Sequence, residues 1–322
     1  MKLLTKLLGS ACSPGGMRGG LSILIFHRVL PKSDSLFPEE PDAKRFDEIL
    51  SWVGGAFNVL SLEHAVSLLA RGALPPRALA ITFDDGYADN YAVALPILAR
   101  HSMTATFFVA SGFLDGGRMW NDTVIESVRA FDGSELDLSE LGLGCHSTRS
   151  DQCRRATIDA LLPKIKYRSL SERIDLVQAI ADICRVTPPD DLMLSSTQLR
   201  ALYAAGMSIG GHTCSHPILT QLEDDVARHE IAHGKAELES RLGHSISMFA
   251  YPNGKPNMDY SGKHASMVRD AGYSAAVTTA VGVARSGADV FQLPRFTPWD
   301  RSELRFGLRM VNNMRCDGEL AR

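Results

Sequence analysis

The chain has 322 residues, 45% hydrophobic and 22% charged, with a formal net charge of −3. That balance suits one large α/β domain and argues against a nucleic-acid surface, which needs a clustered basic face. No stretch approaches the roughly 20 apolar residues of a membrane span, and six cysteines without a CxxC pair form neither a zinc knuckle nor a disulfide scaffold.

In chain order, MKLLTKLLGSAC opens the sequence, with Lys6 splitting its apolar stretch. It is too short for a signal peptide, so residues 1–20 are expected to be a flexible lead with a short amphipathic start. The expected location is the cytoplasm, with peripheral contact to a membrane or a lipid-linked glycan left open. LSILIF (21–26) then reads as a buried parallel strand. Similar runs follow as ALAITF (78–83), TATFFVA (104–110), MSIG (207–210), SMFAY (247–251) and SAAVTT (274–279). Helical patterns separate several of them: FDEILSWVG, YAVALPILARH and DVARHEIAHGKAELESRLG. The alternation predicts βα units around a parallel sheet or barrel in one domain, residues 21–322.

Residues 115–189 break this rhythm. They show helical periodicity without a clear strand, as in SERIDLVQAIADIC with Ser171 as N-cap, and predict a helical insertion. Its basic residues (Arg154, Arg155, Lys164, Lys166, Arg168) are expected to form a solvated face, with an anionic lipid or glycan as the other reading.

Two short stretches carry chemistry. ITFDDG ends an apolar strand in Asp84 and Asp85, which a straight strand would send to opposite faces. Gly86 permits a sharp turn that lets both carboxylates aim into one cleft; the plainer reading is a turn with solvated acids. GGHTCSHP follows MSIG and places His212 and His216 four residues apart, close enough to hold one ion. Two imidazoles with one carboxylate suit a divalent metal with positions left open; the plainer reading is a pair of capping histidines.

Together, TFDDG and H-T-x-x-H-P resemble the polysaccharide deacetylase family, the NodB-homology carbohydrate esterases. The resemblance extends from about residue 21 to 300. It implies a distorted (β/α) barrel of six or seven parallel strands, and metal-dependent removal of acetyl groups from N-acetylated sugars. Carried over by position, it makes Asp84 the catalytic base and Asp85, His212 and His216 the ligands of zinc, or of cobalt or nickel. SMFAYPNG is similar to the family's third motif and would place an oxyanion-stabilising N–H at Tyr251.

The chain departs from the family pattern in two places. No histidine follows His264, so the usual C-terminal general acid is missing. His27, in ILIFHRV, directly follows the first strand, and FHRV is similar to the motif of exopolysaccharide deacetylases that carry this histidine near the N-terminus. Phe249 and Ala250 stand where the family has a base-orienting arginine, and Arg295 in QLPRF is the candidate replacement.

Trp120 and Trp299 are candidate sugar-stacking side chains, although packing is the commoner fate of a tryptophan. The expected substrate is a carbohydrate, N-acetylhexosamine in an exopolysaccharide or its precursor. Two rivals remain: a glycan-binding pseudoenzyme of the same fold, and a zinc metalloprotease using HEIAH (229–233), whose downstream ligand is not obvious. Oligomeric state is not readable.

Overall fold

The computed structural model describes residues 2–322. The chain begins with α1 (Lys2–Cys12), β1 (Gly20–Phe26), α2 (Ala43–Ala56), β2 (Asn58–Val59) and α3 (Leu62–Ala70). There follow β3 (Ala78–Phe83), a π-helical turn (Asn90–Ala94) leading into α4 (Leu95–Arg100), and β4 (Thr106–Val109). The insertion holds α5 (Trp120–Ala130), β5 (Glu135–Leu138), β6 (Gly144–Ser147), α6 (Asp151–Lys166) and α7 (Leu170–Cys184). The barrel resumes with α8 (Ser196–Ala204), β7 (Ser208–Gly211), α9 (Asp224–Leu242), β8 (Met248–Ala250) and α10 (Gly262–Asp270). It ends with β9 (Ala275–Val281), β10 (Ala284–Arg285), β11 (Leu293–Arg295) and α11 (Glu303–Asn313).

Every residue of β1, β3, β4 and β8 is buried, as a parallel strand covered on both faces requires. The sheet runs β10-β1-β3-β4-β7-β8-β9-β11, with β2 added beside β3. All neighbouring pairs are parallel except β1 with β10. Just beyond β11, the Phe296 N–H donates to the Ile23 carbonyl at 2.8 Å and its own carbonyl accepts from Ile25 at 3.1 Å. This link to β1 nearly closes a barrel. The eight strands of this order exceed the six or seven expected. The additional ones are the antiparallel β10 and the proline-containing β11, both too short to show a hydrophobic period.

The insertion is not purely helical. β5 and β6 form an antiparallel hairpin over which α5, α6 and α7 close a separate cluster around Leu136, Leu138, Val128, Ile158, Leu161 and Ile180. Alternation in β5 covers four residues, Glu135 and Asp137 exposed and Leu136 and Leu138 buried, too few to stand out. The N-cap of α7 is Ser169, in a capping box with Glu172, rather than Ser171. Lys2–Cys12, expected within a flexible lead, forms a helix. It lies so close to α11 that a Cβ on Gly307 would sit 2.4 Å from Thr5 Oγ1. Among the described residues no helix is long and apolar enough to cross a membrane.

Candidate active site

The C-terminal ends of β1, β3 and β7 deliver His27, Asp84 with Asp85, and His212 to one cavity of about 600 Å³. The neighbouring acids both reach it because the chain turns sharply after β3. Asp85 takes φ +75° and Gly86 φ +88°, and a Cβ on Gly86 would lie 2.9 Å from Val109 Cγ1. A non-glycine residue in the left-handed region costs roughly 1–2 kcal/mol, which the surrounding packing must outweigh.

Asp85 Oδ1 stands 3.4 Å from His212 Nε2 and 3.4 Å from His216 Nε2. Two ligand bonds of about 2.0–2.1 Å at a tetrahedral angle subtend that separation. His212 Nδ1 lies 2.7 Å from the Ala250 carbonyl, which can only accept a proton, so Nε2 is left free as a donor atom toward an ion. His216 enters the cluster through a left-handed residue, φ +54°, with its N–H donated to Thr213 Oγ1 at 3.1 Å. Burial lowers the His216 imidazole to about 4, the neutral form a metal requires. Burial also opposes ionisation of Asp85, but the adjoining imidazoles of His212, His216 and His27 hold the carboxyl well below the usual range. The donor set and the geometry fit a divalent cation.

Asp84 is held differently. Arg295 grips it bidentately, Nη1 to Oδ1 and Nη2 to Oδ2, each at 2.7 Å. The guanidinium is itself fixed by Nε donating to the Thr278 carbonyl at 2.7 Å and Nη1 to Thr82 Oγ1 at 3.2 Å. Burial alone would raise the Asp84 carboxyl, yet Arg295 and His212 hold it below its ordinary value. β11 thus supplies the cation where SMFAYPNG lacks one.

Tyr251 does not sit as expected. Its N–H donates to the Val277 carbonyl at 3.3 Å, its hydroxyl donates to Phe291 O at 2.9 Å, and its ring stacks on Tyr260. It is fully buried and does not line the cavity. Asn253, two residues on, does line it, with φ +59°. Among the described residues the Asn253 N–H has no protein acceptor.

The insertion walls the cavity from the other side. Trp120, Asp122 and Ile125 of α5 line it with Leu162, Lys166 and Tyr167 from the end of α6 and beyond. Trp120 therefore lines the cavity, with the Arg173 guanidinium 5.3 Å from its ring centroid. Trp299 does not: it is 68% exposed, beside a separate groove with Asp300 and Arg301. Arg154 binds carbonyls of the insertion, Arg155 binds Asp159 and also reaches the Leu36 carbonyl and Glu39 outside it, and Lys164 reaches the Leu143 carbonyl. These three brace the insertion, while Arg168 is exposed.

Sequence reading missed Asp122. Its carboxylate accepts from the Tyr87 hydroxyl at 3.1 and 3.2 Å, and burial raises it to about 7. An acidic residue inside a helical pattern gives no local signal. The HEIAH stretch is also more than a connector. Glu230 accepts from the N–H groups of Cys214 and Ser215, at 3.0 and 2.8 Å, and from Ser215 Oγ at 2.7 Å. It thereby caps the loop that carries His216. Both its oxygens are occupied, and His229 stacks on His233 with 13° between the rings, so this face of α9 is not built as a protease centre.

A barrel with Asp-His-His and an arginine-held second aspartate at its strand ends defines a hydrolase-like α/β site. The family profile for polysaccharide deacetylases matches residues 71–138 and 172–276, more than half of the sequence. The chain belongs to the polysaccharide deacetylase family. YxkH of Bacillus subtilis (strain 168), described as a polysaccharide deacetylase, is 32% identical over 91 residues, 28% of this chain and 31% of its own length. The matched stretch therefore spans about a third of that relative. Among solved structures, the Streptococcus pyogenes deacetylase PplD in complex with acetate superposes with TM-score 0.59 and 21% identity, covering 92% of this chain and 98% of that one. IcaB from Ammonifex degensii does so with TM-score 0.59 and 20% identity, covering 92% and 97%. These likenesses concern the fold.

Proposed function

We propose that the protein hydrolyses N-acetyl groups on a glycan, N-acetylhexosamine in an exopolysaccharide or its precursor, with a divalent metal, zinc or a similar ion, held by Asp85, His212 and His216. The observation that carries this reading is the convergence of those three ligands, the Arg295-held Asp84 and His27 on one cavity. When bound, the ion would supply Lewis-acid polarisation and acidify water.

Asp84 is ionised at neutral pH and accepts the proton of the attacking water. Arg295 is a positioning residue: it holds both carboxylate oxygens in place and keeps the proton from being retained on Asp84. Attack on the acetamide carbonyl moves negative charge to its oxygen, and the Asn253 N–H, rather than that of Tyr251, is the free backbone donor at hand. His27, exposed at the end of β1 on the cavity rim, gives the proton that the leaving amine requires. Trp120 offers a stacking face for the pyranose ring. Fixed on packed strand ends, these groups need little reorganisation on reaction.

Acetate release from N-acetylglucosamine oligomers and crude exopolysaccharide tests the proposal, using chelator-stripped protein with and without restored Zn²⁺ or Co²⁺. Release that depends on metal and falls at least about 100-fold in His27→Ala is expected. Equal release from His27→Ala would remove that residue from the mechanism. No release with metal bound would make the protein a glycan binder.

A further inference from the structure

Cys214 lies between His212 and His216 in sequence but does not line their cavity; its side chain is turned to α9. There its Sγ, a nitrogen of His233 and a carboxylate oxygen of Glu237 lie within 4.8 Å of one another. The Cys214 thiol donates to Glu237 Oε2 at 3.6 Å, and His233 Nε2 stands 3.6 Å from Glu237 Oε1. Ser111 Oγ donates to Glu237 Oε2 at 2.5 Å and adds a fourth candidate donor atom, an oxygen. His233 and Glu237 are four residues apart on one face of α9, while Cys214 comes from the loop pressed against that helix. The approach is close because residue 234 is glycine: a Cβ there would sit 2.6 Å from the Thr213 carbonyl carbon.

The charge around this cluster also asks for a cation. Glu230 and Glu237 both face the loop, and among the described residues no lysine or arginine forms an ion pair with either. Hydrogen bonds alone hold two carboxylates beside the thiol.

We propose that Cys214, His233 and Glu237 form a second metal site, separate from Asp85-His212-His216, that binds a borderline-soft divalent cation, zinc above all. Thiolate, imidazole and carboxylate together select zinc or cobalt over magnesium or calcium, which prefer oxygen alone. Binding releases the Cys214 proton to solvent. Water or Ser111 Oγ completes four-coordination. The bound ion ties the His212–His216 loop to α9, and its role is structural.

The two sites differ in one readable respect, since only this one contains sulfur. Metal-free protein is titrated with Co²⁺, following total binding and the near-ultraviolet charge-transfer band of a thiolate-cobalt bond. The wild type should bind about two ions per chain and develop the band with about one of them. Cys214→Ser and His233→Ala should each lose the band and about one ion, with circular dichroism confirming that they fold. His212→Ala should lose the other ion and keep the band. A wild type without the band, a band that survives Cys214→Ser, or binding of about one ion in both wild type and Cys214→Ser would each overturn the proposal. Because the band does not depend on acetate release, failure here leaves the deacetylase reading intact.

Discussion

At the scale of single residues, the buried acids Asp84 and Asp122 are pushed in opposite directions, each by what it faces. Asp84 meets the Arg295 fork and stays ionised; Asp122 meets a tyrosine hydroxyl in an apolar wall and is held near 7. Burial raises Asp122 first, and the Asp85 charge adds to it, against the opposing pull of Arg28. The sign of the stability effect follows. The folded state retains a proton that the unfolded chain releases near 4, so wild-type stability falls as pH rises from about 4 to about 7. Asp122→Asn keeps an acceptor for Tyr87 and has no charge to bury. Urea unfolding should give it wild-type stability at about pH 4 and a gain that levels off above about pH 7, at most about 4 kcal/mol. An equal offset at both pH values would mean that Asp122 does not titrate in this window. Asp84 behaves in the opposite sense: its contribution is present at neutral pH and lost on acidification. Which acids were readable is instructive. Asp84, Asp85, His212 and His216 announced themselves through short motifs at strand ends. Asp122 and Asn253 did not, because one reaches the cavity from a helix of the insertion and the other lines it from a loop in a left-handed conformation.

At the scale of elements, the site depends on α9 as much as on the strands. Glu230 takes two consecutive N–H groups of the loop from Thr213 to His216, and Thr213 Oγ1 takes a third. Two residues of that loop are left-handed without being glycine, Thr213 at φ +64° and His216 at φ +54°, so the hydrogen bonds oppose a real backbone cost. Glu230→Ala removes a charged acceptor from both N–H groups, each such bond being worth about 1.5–3 kcal/mol. Zinc affinity, measured by competition with a chromophoric chelator, should fall roughly 10–100-fold, with the milder loss in Glu230→Gln. Unchanged affinity in Glu230→Ala would show that the loop holds its shape without α9. From sequence, this helix reads correctly as an element and incompletely as a device: its period sets Ile231, Leu238 and Leu242 inward, the first two buried and the third half-buried here, but does not report what Glu230, next to Ile231, touches. Periodicity fails in the opposite way for β11. Three residues with Pro294 in the middle carry no strand signal, although the strand ends in Arg295.

For the whole molecule, the barrel brings together parts that are far apart in the chain. His27 leaves β1 and Arg295 ends β11, and the Ile23–Phe296–Ile25 hydrogen bonds join the two strands directly. The insertion enters this frame at a narrow neck. Arg118 Nη1 donates to the carbonyls of Pro188 and Pro189 at 3.0 and 2.8 Å, so the segment's two ends lie side by side. Its exit segment also bridges to the turn after β3, through Ala88 N–H to Leu192 O at 2.8 Å and Leu194 N–H to Gly86 O at 2.9 Å. Since the insertion has its own hydrophobic cluster, the barrel's main core does not rest on it. It does supply one wall of the cavity, Trp120 and Asp122 included. Replacing residues 119–187 by a short Gly-Ser linker therefore separates two functions. The ligands Asp85, His212 and His216 stay on barrel elements, so Co²⁺ binding at that site should persist. Substrate contacts on the insertion are lost, and KM for acetylated oligomers should rise by about tenfold or more while a small acetamide is hydrolysed at a similar rate. If KM were unchanged, the wall would be a cover without substrate contacts. If cobalt binding were lost with it, the insertion would be holding the turn after β3 in shape.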